Sequence, residues 1–331
     1  MLYPLIKPLL FALDAEEAHE TSLQLLNQFR YLMPKTRCLK PVKLMGLNFP
    51  NPVGLAAGMD KNGDYLPGLS KLGFGFIEVG TVTPRPQTGN LKPRLFRLSQ
   101  YNSIINRMGF NNKGTDHLLA QLKDQPRDFV LGINIGKNLN TSVNNALVDY
   151  VEAFTSVYSS ADYITINISS PNTPGLRGLQ SEDALDQLLN GITEQRKKMQ
   201  DKYGYNRSIA LKVSPDLDPG AIRPIAELLL KHKIDALIAT NTTLDRSLVK
   251  DHVLANEAGG LSGDALTLKS RDILVQFYQI LQHDIPIISV GGISSAEEAK
   301  LRLELGAKLV QIYSGLIFQG SGLVRQIIKA V

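Results

Sequence analysis

The stretch IALKVSPDLDPGAIRPIAELLLKHKIDALIAT (209–240) holds two short apolar runs, IALKV (209–213) and ALIAT (236–240), around a helical pattern at 219–232. Both runs are largely apolar and continuous instead of alternating, as in parallel strands covered on both faces. The same unit recurs outward. VGLAA (53–57), FIEVG (76–80), VLGINI (130–135) and YITINI (163–168) precede it, and PIISV (286–290) and KLVQIY (308–313) follow. Helical patterns at 143–159, 182–200, 268–282 and 295–305 separate many of them. Eight such runs predict an α/β fold, a (β/α)8 TIM barrel, which needs roughly 250 residues. A doubly wound sheet would usually place G-x-G-x-x-G after its first strand, and AAGMDKNG (56–63) does not fit. Within the long connection 81–129, PRLFRL (93–98), SQYN and SIINRM (103–108) predict a hairpin over the barrel mouth. The other long connection is 241–285.

The chain has 331 residues, 43% of them hydrophobic, enough for a sizeable core and too many for wholesale disorder. Cys38 is the only cysteine. Disulfide scaffolds, iron–sulfur clusters and Cys-based zinc sites are thereby excluded. A net charge of +5 is mildly basic, suits anionic ligands or lipid, and is weak support for nucleic acid. No apolar run is long enough to span a bilayer. The start, MLYPLIKPLLFALD (1–14), lacks a basic n-region, a cleavage site and the Arg/Ser-rich character of a transit peptide, and a bacterial source is expected.

A small N-terminal helical extension is predicted instead. Pro8 is placed in the first turn of a helix running through Leu13. Asp14 then caps a second helix, with Glu17 completing a capping box; Ala18, Ser22, Leu25, Leu26 and Phe29 share one face, and Pro34 ends it. Leu5, Ile6, Leu9, Leu10, Phe11 and Leu13 around Lys7 form an interfacial element, and Lys35, Arg37, Lys40 and Lys43 a basic linker toward anionic headgroups. The expected division is 1–40 for the extension and 41–331 for the barrel.

Polar residues end the predicted strands: Asp60 and Lys61, Thr81, Asn134, Asn167 leading to Ser169, Ser170 and Asn172, Lys212, Thr240 to Thr242, Gly291 and Gly292, and Tyr313 to Gly315. A buried amide or ammonium is costly unless paired, so this ring at one rim points to a polar ligand. The glycines after the seventh and eighth strands, with Gly263, match a barrel phosphate site, and Lys212 near the centre completes a fit to flavin mononucleotide (FMN). His19, His117, His232, His252 and His283 lie in helical or surface contexts, and none reads as a general base. No carboxylate pair occupies the rim, and H-E-x-x-H and G-x-S-x-G are absent, against glycosidase, zinc-protease and α/β-hydrolase chemistry. No metal site is expected.

The segments AAGMDKNG (56–63), EVGTVTPRPQ (78–87), NRMGFNN (106–112), NIGKN (134–138), INISSPNTPGLR (166–177), ATNTT (239–243), GGLSG (259–263), VGGI (290–293) and QIYSG (311–315) resemble the dihydroorotate dehydrogenases over essentially the whole chain. Ser170, where the cytosolic class 1 enzymes carry Cys, and the helical extension resemble the membrane-associated, quinone-linked class 2. The resemblance implies oxidation of (S)-dihydroorotate to orotate, the fourth step of de novo pyrimidine (UMP) biosynthesis. It implies FMN contacts from Ala57, Gly58, Met59, Asp60, Lys61, Thr81, Asn134, Asn167, Lys212, Thr240, Gly263, Gly292, Tyr313 and Ser314. Substrate would be held by Lys61, Asn106, Arg107, Met108, Gly109, Phe110, Asn167, Asn172, Asn241 and Thr242.

Ser170 would be the catalytic base, relayed through Thr173 and a water, with a lid around Leu176. The acceptor would be a membrane quinone, ubiquinone or menaquinone, entering between the N-terminal helices. A monomer on the cytoplasmic face of the inner cell membrane, touching lipid and binding no nucleic acid, is expected. Two alternatives remain: a flavin barrel acting on tRNA uridine, which would call for a Cys acid and an RNA-binding module not seen around the barrel, and a non-catalytic flavin-binding barrel.

Overall fold

The computed structural model describes residues 3–33, 39–123, 125 and 127–331. Pro34, Lys35, Arg37 and Cys38 lie outside the described residues. In chain order, the elements begin with α1 (Tyr3–Ala12), α2 (Ala15–Gln28), β1 (Val42–Leu44), β2 (Leu47–Phe49), β3 (Val53–Leu55), α3 (Leu66–Leu69) and β4 (Phe76–Val82). Next come β5 (Leu95–Leu98), β6 (Ser103–Asn106), α4 (Gly114–Leu122), β7 (Val130–Ile135), α5 (Ala146–Val157), β8 (Tyr163–Asn167), α6 (Glu182–Tyr203) and β9 (Ser208–Val213). The chain closes with α7 (Pro219–Lys231), β10 (Ala236–Ala239), β11 (Gly260–Gly263), α8 (Thr267–Leu281), β12 (Ile287–Val290), α9 (Ala296–Glu304), β13 (Ala307–Ile312), α10 (Ser314–Gln319) and α11 (Gly322–Ala330).

Eight parallel strands, in the order β3-β4-β7-β8-β9-β10-β12-β13, form a closed barrel, and these are the eight runs the sequence marks as strands. The main apolar core lies between strands and helices, where Leu55, Ile77, Ile133, Ile164 and Leu237 meet Tyr150, Phe154, Leu229 and Phe277. Inside the barrel, Phe76, Val130, Tyr163, Ile238, Ile288 and Leu309 pack beneath Phe49 of the β1–β2 hairpin, which caps the N-terminal end. The opposite end stays polar and open.

The predicted hairpin over the mouth is β5–β6, but it is a three-stranded antiparallel sheet, because β11 pairs with β6 in the register Leu261↔Ile105. The glycines of GGLSG read as a loop in sequence. Pairing with β6 makes the segment a strand, and glycine is needed at its two ends: a Cβ on Gly260 would lie 1.9 Å from Thr242 Oγ1, and one on Gly263 2.2 Å from the Asn102 carbonyl oxygen.

The extension differs in detail from expectation. The first helix starts at Tyr3, so Pro4 occupies its first turn and Pro8 lies inside it. The Tyr3 hydroxyl donates to the Ile317 carbonyl, Lys7 Nζ to the Phe318 carbonyl at 2.9 Å, and Phe11 packs edge-on against Phe318. These anchors fix where the helix begins. Asp14 Oδ1 caps α2, accepting from the Glu16 and Glu17 amides. In α2, Ala18 and Leu23 are buried, whereas Leu25 and Phe29, expected on the packed face, are exposed.

What ties the extension to the barrel is a buried ion pair. Arg94 Nη2 lies 2.8 Å from Glu16 Oε1, and Nε donates to Oε2 at 3.1 Å; both side chains are almost wholly buried. The same guanidinium donates to the Thr88 and Asn90 carbonyls. Burial pushes the Glu16 carboxyl up, but Arg94 and Lys92 more than offset this and hold it below its ordinary 4.5. A depressed carboxylate pKa contributes stability above the unfolded value that is lost as acid protonates the group.

Removing one member of a buried pair leaves the other charge uncompensated, at a cost of about 3–5 kcal/mol. Glu16→Gln is therefore expected to undock the extension. Limited trypsin digestion at Arg30 should accelerate at pH 7 with the barrel left intact, and with pepsin as the protease the difference between the two proteins should close as pH falls below 4.5. Equal digestion of both proteins at pH 7 would count against this account.

Candidate active site

The C-terminal ends of the barrel strands open into a cleft enclosing about 1040 Å³, counting its mouth. Of the residues expected to hold a cofactor, Ala57, Gly58, Lys61, Thr81, Asn167, Lys212, Thr240, Gly263, Gly292, Tyr313 and Ser314 line it. Of those expected to hold a substrate, Asn106, Met108, Gly109, Phe110, Asn172, Asn241 and Thr242 do so as well, and Ser170 lies in the same wall.

Four expected residues do not line this wall. Met59 is packed in the core. Asp60 turns its carboxylate to the amides of Asn62, Asp64 and Tyr65. Arg107 pairs with Glu257 at 2.6 Å on the outer side. Asn134 is wholly buried beneath the floor.

The floor is a chain of amides. Asn134 Nδ2 donates to Glu78 Oε1 at 2.7 Å, and its Oδ1 accepts from Thr81 Oγ1 at 2.5 Å and Asn167 Nδ2 at 3.1 Å. Asn167 Oδ1 then accepts from both the amide and the hydroxyl of Ser169, whose Oγ accepts from Asn241 Nδ2 at 2.9 Å. The amide edges of Asn167 are thus committed within the protein.

Two lysines supply charge. Lys61 Nζ donates to the Gly58 carbonyl at 3.0 Å. Burial brings its pKa down to about 8, with Glu16 opposing the fall and Arg94 adding to it. Lys212 is buried on β9 and makes no hydrogen bond among the described residues; burial lowers its pKa, opposed by Glu78. In the loop from β12 to α9, the backbone N–H groups of Gly292, Ile293 and Ser294 donate to nothing among the described residues. Successive unpaired amides of this kind form an anion-binding concavity.

No histidine lines the cleft. His117 pairs with Asp64 and His232 with Asp186, as structural residues do. His19 is held neutral, its pKa pushed down to about 3 by burial and by Lys61.

A family model described as dihydroorotate dehydrogenase matches residues 39–331. The chain belongs to this family. Among its curated relatives, dihydroorotate dehydrogenase (quinone) of Aliivibrio fischeri (strain MJ11) is 49% identical over the whole of both chains. The protein of the same name in Nitrosomonas europaea is 51% identical over 99% of this chain and 97% of its own. The ligand-free Eimeria tenella DHODH crystal structure superposes with a TM-score of 0.88 at 37% identity, covering 96% of this chain and 94% of that one. Its complex with ferulenol gives 0.89 at 36%, covering 95% and 90%.

The dihydroorotate dehydrogenase signature INISSPNTPGLR ends in the residue that closes the loop bearing Ser170. Arg177 Nε donates to the Ser169 carbonyl at 3.1 Å, Nη2 to the Thr242 carbonyl at 2.9 Å, and Nη1 pairs with Asp216 at 2.8 Å. Asp216 also accepts from Thr243, Lys269 and the Leu244 amide. Burial raises its pKa, but these donors together bring it down to about 2. Sequence reasoning missed this junction, and also Ser262, Asp264, Ser294 and Gln311 in the wall, because none of them stands at the end of a predicted strand.

Hydrogen bonds from a charged group contribute about 1.5–3 kcal/mol each. Arg177→Gln is expected to speed amide hydrogen exchange of residues 170–176 by about 10- to 100-fold while leaving helix α6 unchanged. Exchange rates equal to wild type would show that Arg177 does not hold the loop.

Proposed function

We propose that this chain oxidises (S)-dihydroorotate to orotate with FMN as prosthetic group and a membrane quinone as electron acceptor, the fourth step of de novo UMP synthesis. The observation that carries this reading is the wall of the cleft, where Lys61, Ser170, Lys212 and the amides of Asn106, Asn172 and Asn241 face one space. The donor set fits FMN: the unpaired amides at Gly292–Ser294 suit its phosphate, and the unpartnered Lys212 ammonium suits the ring edge that gains negative charge on reduction.

The chemistry FMN would supply when bound is acceptance of a hydride from substrate C6. The chain's own residues do the rest. Lys61 holds the substrate carboxylate, and Asn106, Asn172 and Asn241 meet its carbonyl and N–H edges, because an amide offers both donor and acceptor. Thr242 Oγ1 is buried without a partner and is available to the same ligand. Ser170 takes the proton from C5. Its Oγ accepts from the Asn172 amide at 3.2 Å, which sets the orientation of a lone pair. A serine is a weak base, so exclusion of water matters, and Leu176 closes the loop behind it, fully buried. No hydrogen bond joins Ser170 to Thr173, so a proton leaving that way crosses a water.

Residues 1–40 form the quinone-admitting extension and 41–331 the catalytic barrel. On the extension, Leu5 and Leu9 are each 73% exposed, with Ile6 and Leu13 beside them, whereas Leu10 and Phe11 turn toward the barrel. No helix among the described residues is long and apolar enough to cross a membrane. The chain sits as a peripheral monomer on the cytoplasmic face of the inner membrane, its exposed leucines in lipid and Lys40 and Lys43 near the headgroups.

The deciding experiment is an anaerobic titration of the purified protein with dihydroorotate. A yellow protein whose flavin band bleaches, then returns on adding a quinone, supports the reading; a colourless protein indifferent to added FMN, or a band that dihydroorotate leaves unchanged, removes it.

Ser170→Ala is expected to retain FMN and bind orotate while turnover falls by about 10²–10⁴, the range for a lost general base. Wild-type rates in that variant would take the role from Ser170. The free-enzyme pKa of Lys61, about 8, sets a further expectation. Below it the ammonium is charged and binds a carboxylate; above it the charge is lost, so kcat/KM for dihydroorotate should bend downward above about pH 8, and Lys61→Met should lack the bend and have a raised KM.

A further inference from the structure

We propose that Glu78 is a positioning residue: from one layer beneath the cleft it serves as counter-charge to Lys212 and dictates the direction of the amide chain that runs to Ser169 and Asn241. In its consequence for the flavin, this rests on the function proposed above.

Glu78 is 0% exposed, on β4 inside the barrel. Three donors surround its carboxylate: Asn134 Nδ2 on Oε1, and Tyr163 Oη at 3.0 Å and Gln311 Nε2 at 2.8 Å on Oε2. Three donors on one buried carboxylate make it the acceptor that its neighbours must satisfy. Its first effect is on direction. An ionised carboxylate only accepts, so Asn134 must turn its NH2 downward and its oxygen upward. That oxygen takes the hydroxyl of Thr81 and the NH2 of Asn167, which leaves the Asn167 oxygen for Ser169, and the Ser169 hydroxyl to accept from Asn241. One acceptor at the base therefore orders each donor above it, up to two residues flanking Ser170 and the substrate edge.

Its second effect is on charge. Lys212 follows Asn167 across the sheet in the β8–β9 register and has no direct ion pair. Burial favours the loss of the lysine's proton, and Glu78, one layer below, opposes it. The other titratable groups facing the pair are Tyr163, raised far above its ordinary value by burial and by Glu78, and Tyr313, raised to about 12 by burial. Both stay neutral, so the balance lies between Glu78 and Lys212.

The test compares holoenzymes carrying Glu78→Gln, Lys212→Met and both. In Glu78→Gln, measured at saturating dihydroorotate so that the Lys61 bend in kcat/KM does not set the profile, the pH at which flavin reduction loses the Lys212 charge should fall. In Lys212→Met that limb should vanish, and adding Glu78→Gln should not change the profile. In thermal unfolding with saturating FMN, each single variant should lose stability, and the double variant should lose less than the sum, because it leaves no lone buried charge. An unmoved limb, or additive losses of Tm, would overturn the proposal. Should Glu78→Gln alone fail to fold, folding of the double variant supports it and failure of both overturns it. A wild type that binds no FMN would remove the proposed function instead, and the unfolding of the same variants without FMN would still decide the coupling.

Discussion

An amide side chain donates at one end and accepts at the other, and Asn134 uses both ends at once. Below it stands a carboxylate that can only accept; above it stand a hydroxyl and a second amide that donate. This is the constraint on which the mouth of the barrel depends. A parallel barrel presents strand ends of one polarity on one rim, and every polar side chain placed there needs a partner with the water removed. Here most partners lie in the same ring, so the rim is rigid before any ligand arrives. What the ring leaves unpaired, the Lys212 ammonium, the Thr242 hydroxyl and the amides at Gly292–Ser294, marks where a ligand has to complete it.

The anion end shows the same economy from outside the barrel. Arg302 is fully buried, yet it donates to the carbonyls of Thr267 and Gly291, to Ser270 and Ser289, and pairs with Glu298. It therefore pins the α8 entry to the β12 exit. Gly292 is held at φ +72°, and a Cβ there would lie 2.4 Å from Thr267 Cα. Glycine at this position is required by the approach of loop to helix, and the free amides that face the cleft follow from that approach.

The barrel was legible because its strands are buried on both faces, so each appears as a continuous apolar run that alternation cannot disguise. The rim was legible because polar residues interrupt those runs at one end. Three features escaped for physical reasons. β11 is a four-residue GLSG strand that exists through its long-range pairing with β6, which no local pattern records. The β1–β2 hairpin is two strands of three residues, below the length at which alternation can be read. Glu78 lies within an apolar run and looks like an exception to it; only the inward turn of its side chain, beside Tyr163 and Gln311, explains a charge there. The extension was legible at its cap, Asp14, and not at its packed face, since tertiary anchors at Ile317 and Phe318 decide which side of each helix meets the barrel.

The same anchors place the extension in electrical contact with the site. Glu16 of α2 raises the pKa of Lys61, while Arg94, which pairs with Glu16, lowers it. A Lys61 in the barrel wall thus depends on a pair that spans barrel and extension. Burial is the largest influence on Lys61 and lowers its pKa, so a docked extension both helps strip water from the ammonium and brings Glu16 to hold its proton, two effects of opposite sign. The charge on this cleft lysine is therefore set jointly by the barrel and the extension. The two parts of the molecule are thereby linked by Coulomb interaction across a buried ion pair.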